Sequence, residues 1–433
     1  MKKTTAKFNG IAVPRGETIV INDGKPVTPA KPIIPFIEGD GIGPEISSAM
    51  RAVVDAAVRT AYGSKRKIVW YEVFAGEKAA SRFGKSLPDD TLAAIARFNV
   101  AIKGPLNTPT GEGIRSLNVA LRKHFDLFQC VRPVRYFKGV PSPMLRPQDL
   151  NIVIFRENTE DVYSGIEFQA ESEAAKRVIA LAGELGETIR PDSGIGIKVI
   201  SRTGSKRLIR AAIQYAIDHN RDSVTIVHKG NIQKFTEGAF LRWGEELALE
   251  EFGDRIVFEK DLWTVHNGNL PEGKILLRSR IADAMFAELL LKPTRYSVVA
   301  CCNLNGDYLS DAAAGQVGGL GIAPGANIGD HYALFEATHG TAPDIAGQNI
   351  ANPCSLLLSA VMMLDFLGWT EAGELIIKAI EATIGANHLT KDLAIPAGLS
   401  THLSTTQFGE ELVKSVKSLR PKAPRKRRCA CTE

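Results

Sequence analysis

The segment Pro32-Ile-Ile-Pro-Phe-Ile37, running directly into Glu38-Gly-Asp-Gly-Ile-Gly-Pro44, decides the fold class. Its first half is an apolar run of strand length and its second half a glycine-rich turn. From Glu45 onward, Ile46, Met50, Val53, Val54 and Ala57 recur at helical spacing, so strand, turn and helix follow one another. The succession repeats. Residues 100–103 form an apolar run ahead of Gly104-Pro105, and further strands are predicted over 152–155, 195–200, 224–227 and 298–301. Leu208, Ile209, Ala212, Ile213, Ala216 and Ile217 make one helical stripe between two of them. This alternation predicts an α/β fold, with a strand and turn near residues 18–27.

The chain has 433 residues, 44% hydrophobic and 23% charged, with 39 Gly and 22 Pro. Those values place it with globular proteins of two or three lobes and exclude disordered, collagenous and disulfide-scaffold classes. The longest apolar stretch, residues 356–367, is broken by Ser359 and Asp365, too short for a membrane span. No apolar run follows the basic start at Lys2 and Lys3, so a cytoplasmic protein is expected. The six cysteines show no zinc-ligand spacing and read as reduced thiols. Residues 420–433 carry six Lys or Arg against one acid, which equals the whole net charge of +5. The rest of the chain is neutral overall, so no nucleic-acid-sized basic face is expected, and the tail reads as a solvated end.

Neither common phosphate-binding fingerprint is present. Gly39-Asp-Gly-Ile-Gly43 is G-x-G-x-G rather than G-x-G-x-x-G, and Gly84-Lys85-Ser86 lacks the earlier glycine of a P-loop, where Ala79 stands. A nucleotide therefore needs another loop. Glu336 to Gly347 packs acid, imidazole, hydroxyls and glycines into twelve positions and is the best nucleotide candidate. Ser116, Asn118 and Arg122 stand near the start of a predicted helix, and Arg132 and Arg156 near strand ends, where guanidinium groups suit carboxylate recognition. Asp307 and Asp311, four apart on a predicted helix, would repel unless a hard cation lay between them. Asp283 reads as a lone acid in an apolar setting that a metal would compensate. Lys229 and Tyr163 are candidate proton-transfer groups.

Taken in order, these motifs resemble the metal-dependent β-decarboxylating dehydrogenases, and among them the bacterial homodimeric isocitrate dehydrogenases. The matching segments run from about Ile33 to Leu419: Glu38-Gly-Asp-Gly-Ile-Gly43, Gly113-Ile-Arg-Ser-Leu-Asn-Val-Ala-Leu-Arg122, Phe155-Arg-Glu-Asn158, His228-Lys-Gly-Asn231, Asn305-Gly-Asp-Tyr-Leu-Ser-Asp311, Gly318-Gly-Leu-Gly-Ile-Ala-Pro-Gly-Ala-Asn327 and His339-Gly-Thr-Ala-Pro343. The resemblance implies a large cofactor-binding domain of residues 1–127 and 320–433, a small dimerisation and metal-binding domain of residues 128–160 and 202–319, and a clasp of residues 161–201. It implies that Ser116, Asn118, Arg122, Arg132 and Arg156 hold isocitrate, with Thr108 near substrate and nicotinamide. Mg²⁺ or Mn²⁺ would be bound by Asp307 and Asp311 of one subunit and Asp283 of the other. Lys229 of the second subunit would deprotonate the C2 hydroxyl, and Tyr163 would protonate the enolate after CO₂ leaves. In some relatives the serine at the Ser116 position is phosphorylated.

The resemblance assigns the cofactor to Glu336, His339, Gly340, Thr341, Ala342, Asp344, Ile345, Asn352 and Lys391. Relatives using NADP carry Lys and Tyr after His-Gly-Thr-Ala-Pro, and Tyr and Arg further on; this chain has Asp344, Ile345, Lys391 and Ile395. An aspartate facing a 2′-phosphate costs on the order of 2–4 kcal/mol in a partly exposed site, so NAD is expected, with NADP the runner-up. Polar Ser116 and Asn118 favour isocitrate over isopropylmalate. A non-catalytic homologue is the less favoured reading, since every metal and proton-transfer position is filled.

Overall fold

The computed structural model describes residues 6–22, 24–107 and 116–419. Thr108, the loop beside it and the basic tail, with Cys429 and Cys431, lie outside the described residues.

Eleven strands form one sheet: β1 Ile33–Ile37, β2 Val69–Glu72, β3 Val100–Lys103, β4 Gln129–Arg135, β5 Asn151–Glu157, β6 Ser223–His228, β7 Ile256–Phe258, β8 Ile275–Ile281, β9 Val298–Cys301, β10 Pro324–Ile328 and β11 Ala333–Ala337. Their spatial order is β7-β8-β6-β9-β5-β4-β10-β11-β3-β1-β2. Two parallel wings, β7 to β5 and β11 to β2, are joined through the antiparallel strands β4 and β10. Strands β1, β3, β6 and β9 are buried at every position, the signature of parallel strands covered on both faces.

Helices cover the wings. α1 (Gly43–Tyr62) buries Ile46, Met50, Val53, Val54 and Ala57, the stripe legible in the sequence. α2 is Leu117–His124 and α3 is Arg202–Asp218, which buries Leu208, Ile209, Ala212, Ile213 and Ala216. α4 is Glu237–Phe252, α5 Ala282–Leu291, α6 Asn303–Val317, α7 Cys354–Phe366, α8 Thr370–Gly385 and α9 Thr405–Ser418. No helix among the described residues is long and apolar enough to cross a membrane. The strand predicted over 195–200 shrinks to Ile195–Gly196, paired only with Glu167–Phe168, because its neighbours are half-exposed and carry no buried alternation. Residues 18–27 form a small hairpin of Val20–Asn22 and Lys25–Val27.

The first glycine turn serves packing rather than a pyrophosphate. Gly39 and Gly41 have φ of +91° and +58°, and a Cβ on either would fall 2.4 Å from the Pro105 carbonyl or 2.1 Å from the Thr341 carbonyl. Ile42 N–H donates to Thr341 O at 3.0 Å, and Asp40 N–H to Pro105 O at 2.7 Å. The Asp40 carboxylate accepts from the N–H groups of Glu77 and Asn107 at 2.8 and 2.9 Å. Three loops are thus clamped to one turn, one of them the candidate nucleotide loop.

Gly41→Ala tests that clamp. Left-handed backbone alone costs a non-glycine residue about 1–2 kcal/mol, and the backbone contact adds to it. The urea midpoint is expected to fall with an unchanged slope; a midpoint equal to wild type would show that the turn is free to relax.

Candidate active site

A cavity of about 380 Å³ opens where β3, β11 and β5 end. Lys103, Asn107, Ser116, Asn118, Arg122, Arg132, Arg156, Tyr163, Asp307 and Glu336 supply its polar wall. Ligands of open α/β sheets lie at carboxyl ends of strands, and here both wings contribute.

Its floor is a buried charge cluster. Glu336 in β11 stands in register with Lys103 in β3, and its Oε2 lies 2.7 Å from Lys103 Nζ. Its Oε1 accepts from Arg122 Nη2 and Asn327 Nδ2, each at 2.7 Å. Burial opposes ionisation of Glu336, but Lys103 and Arg122 outweigh it and hold the carboxyl well below the usual range. Glu336 was assigned to the cofactor; the structure instead commits both its oxygens to the protein. Lys103 is a cleft residue the sequence reading missed. Its signal is a lysine closing an all-apolar strand, which reads more readily as a solvated strand end.

Above the floor, arginines meet the acids of α6. Arg132 Nη1 lies 2.6 Å from Ser310 Oγ and 2.9 Å from Asp311 Oδ1. Arg156, 1% exposed, donates its Nε to Asn303 Oδ1 at 2.8 Å and its Nη1 to Asp307. Tyr163 donates to the other oxygen of Asp307. Burial raises Asp307, but Arg156, that phenol hydrogen bond and Arg132 prevail and leave it below the ordinary carboxylate range. Burial raises Asp311, with Arg132 opposing and Asp307 reinforcing the shift. Burial and the bond to Asp307 push the Tyr163 phenol up to about 12, so it stays protonated at neutral pH. Arg122 Nε, Arg132 Nε and Asn118 Oδ1 are buried with no partner among the described residues. Such atoms in a cleft wall fit a ligand rich in carboxylate and hydroxyl oxygen.

Lys229 and Asp283 do not line this cleft. They follow the carboxyl ends of β6 and β8 and form an ion pair with each other. Asp283 is a correction to the sequence reading: its side chain is 70% exposed rather than set among apolar groups, because the first turn of α5 turns outward. Among the described residues no three acidic, His or Cys side chains gather into a complete metal site. Asp307 and Asp311 nevertheless fit a hard divalent cation, since both are part-exposed oxygen donors one helical turn apart and Asp283 is displayed at the surface.

A second cavity of about 650 Å³ shares His339 and Gly340 with the first. Ala342, Ile345, Asn352, Lys391 and Asp392 also line it. Ala342 has φ +42°, a left-handed alanine forced by the turn between Thr341 and Pro343. His339 Nε2 is buried without a partner among the described residues, and burial lowers its basicity. Asn352 is held by Asp392 at 3.0 Å. Asp344 is exposed and absent from the lining, whereas Lys391, also exposed, is one of the lining residues and forms no ion pair among the described residues.

Sheet and cleft define an α/β protein with a cation-lined pocket beside a nucleotide-sized cavity. Residues 33–412 match the isocitrate/isopropylmalate dehydrogenase family, and the chain belongs to it. It is 55% identical over 416 residues to a Coxiella burnetii protein named isocitrate dehydrogenase (NADP), covering 94% of this chain and 97% of that one. It is 53% identical to an Archaeoglobus fulgidus protein of the same name, covering 93% and 97%. The crystal structure of isocitrate dehydrogenase from Methylococcus capsulatus superposes with a TM-score of 0.75 at 38% identity, over 89% of this chain and 99% of that one. These likenesses overturn the expectation of NAD, since well-covered relatives carry NADP in their names. The physical reason is the placement of Asp344. Its carboxylate is exposed and does not line the cavity, so solvent screens the repulsion that argued for NAD.

Glu336→Gln leaves Lys103 and Arg122 buried without their counter-charge, an expected loss of about 3–5 kcal/mol in chemical denaturation at pH 7. Because the folded carboxyl lies below its unfolded value of about 4.3, its contribution is present above that pH and lost as pH falls through and beneath it. The variant's stability is therefore expected to vary less than wild type between about pH 5 and 3. Parallel curves would show that Glu336 does not carry the charge balance of the floor.

Proposed function

We propose that the protein catalyses the oxidative decarboxylation of isocitrate to 2-oxoglutarate and CO₂ with reduction of NADP, assisted by Mg²⁺ or Mn²⁺. The observation that carries this reading is the charge of the cleft. Four cations, Lys103, Arg122, Arg132 and Arg156, face three carboxylates, Glu336, Asp307 and Asp311, leaving one net positive charge. A divalent cation at Asp307 and Asp311 raises that to three, the charge that a tricarboxylate balances. An isopropyl group would instead face unpaired guanidinium and amide atoms, so isopropylmalate is disfavoured.

The three arginines and Asn118 hold the substrate carboxylates, with Ser116 at the cleft rim. Tyr163, kept protonated and pointed at Asp307, is placed to deliver a proton to C3 after CO₂ departs. When bound, the divalent ion supplies Lewis-acid stabilisation of the developing enolate charge. Lys229 lies outside this chain's own cleft and serves a second copy, which also receives Asp283; the active unit is a homodimer. The loop from His339 to Ile345 and Asn352 hold the nucleotide, and Lys391 pairs with the 2′-phosphate. Relatives named for NADP support that cofactor.

Turnover of D-isocitrate with Mg²⁺ is expected to show kcat/KM at least tenfold higher with NADP than with NAD. Lys391→Glu is expected to raise KM for NADP tenfold or more with little change for NAD. An equal effect on both cofactors would remove Lys391 from phosphate recognition. Tyr163→Phe, lacking the donor proton, is expected to lower kcat by about 10²-fold or more with KM for isocitrate within threefold. A kcat close to wild type would assign protonation to another group.

A further inference from the structure

Behind the cleft lies a buried chain of charges that touches neither cavity. Glu237, in the first turn of α4, is 1% exposed and accepts three hydrogen bonds. One oxygen takes the backbone N–H of Lys229 and the side-chain amide of Asn305, the latter at 2.7 Å. The other takes the ammonium of Lys198. Lys198 also lies 3.2 Å from Oδ1 of Asp161, whose side chain is 1% exposed. The second Asp161 oxygen accepts from Leu304 N–H at 3.0 Å, in the first turn of α6. Asp161 itself holds a left-handed backbone, φ +68°, and its N–H bonds Val199 O at 2.8 Å.

The ties made by the two carboxylates to Leu304, Asn305 and Lys229, and Asp161 itself, all lie within three residues of a group with a proposed chemical task. Leu304 and Asn305 precede Asp307 on α6. Asp161 opens the short turn Asp161–Ser164 that carries Tyr163. The third tie holds the N–H of Lys229 itself. We propose that the bridge Asp161–Lys198–Glu237 is a positioning device that sets the Tyr163 turn, the Asp307 helix and the Lys229 loop in one relative arrangement. The proposal rests on the functional reading of those three residues given above.

The physical case follows from burial and stoichiometry. One ammonium is shared by two buried carboxylates, and each carboxylate spends its remaining capacity on hydrogen bonds from the segments it anchors. Without the ammonium, two anions share one dry space, and they must take up protons, admit water or move apart. Any of these shifts the anchored segments relative to one another. Because Lys229 faces outward while Asp307 and Tyr163 face this chain's cleft, the bridge also ties what one copy presents to its neighbour to the state of its own site. Proton delivery tolerates little misplacement, about 1 Å costing on the order of 10²-fold, whereas Arg122 is held by Glu336 of β11 rather than by an acid of α6.

The test is Lys198→Met in the full-length enzyme, assayed with D-isocitrate, NADP and Mg²⁺, with amide exchange followed at Leu304 and Lys229. A fall in kcat of tenfold or more, KM for isocitrate within threefold, and exchange at both amides faster by tenfold or more are expected, with Lys198→Arg restoring most of the rate. Unchanged kcat, or a rise in KM alone, overturns the proposal. Should Lys198→Met fail to fold, Glu237→Gln is read by the same criteria. If the wild-type enzyme turns over no isocitrate, the functional reading fails by itself. Exchange then decides the bridge alone: acceleration at both amides supports it, and unchanged exchange overturns it.

Discussion

One carboxylate makes the cleft tenable. Glu336 offers an oxygen to Lys103 and the other to Arg122 and Asn327, deep enough that none of these charges has an alternative partner in water. Unpaired, each buried ion would cost several kcal/mol. The network continues outward, since Asn327 accepts from Asn158 Nδ2 at 2.9 Å and Asn158 also bonds the Leu127 carbonyl. A single polar chain therefore links β3, β10, β11, α2 and the end of β5, elements drawn from both wings of the sheet. The cationic floor and the join between the wings are the same object.

That join is built from β4 and β10, the strands that break the parallel pattern. Arg132 sits within β4, opposite Ile154 of β5 and one residue from Val131, which pairs with Ala326 of β10. A cleft-lining guanidinium thus belongs to the seam itself, while Arg156 comes from one wing and Lys103 from the other. Closing or opening of the wings would change the spacing among these cations, so seam geometry and carboxylate recognition are coupled by construction.

Much of this was legible in the sequence because it rests on local patterns. The strands at 100–103 and 298–301, the α1 stripe from Ile46 to Ala57 and the α3 stripe from Leu208 to Ala216 are periodicities that burial alone explains. Asp307 and Asp311 share a helix face for the same reason. What stayed hidden depends on neighbours distant in the chain. Lys103 is buried only because β11 brings Glu336 beside it. Asp283 looked isolated because its apolar flanks gave no hint that α5 begins by turning outward to Lys229. The NAD reading failed likewise: motif position placed Asp344 at the cofactor, but motif position does not report which way a short turn exposes its side chain. The strand over 195–200 mostly dissolves because its partner offers only Glu167 and Phe168.

The choice of arginine over lysine in the upper cleft follows from the same energetics. Arg132 and Arg156 are 7% and 1% exposed, and a guanidinium keeps its charge at such depth where an isolated ammonium would shed its proton. Lys103 is the exception that shows the rule, since it stands against Glu336 at 2.7 Å. Arg132 and Arg156 each lean on an acid of α6, and those acids are the ones suited to a cation. On the proposed function, a cation drawing on Asp307 and Asp311 would weaken their hold on the guanidiniums just as the substrate's carboxylates require them. Cation and polycarboxylate would thereby favour one another's binding, and by linkage the preference would be mutual. The ion pairs inside the cleft compensate four cations in a protein interior, and on the proposed function a ligand of matching charge would share that task.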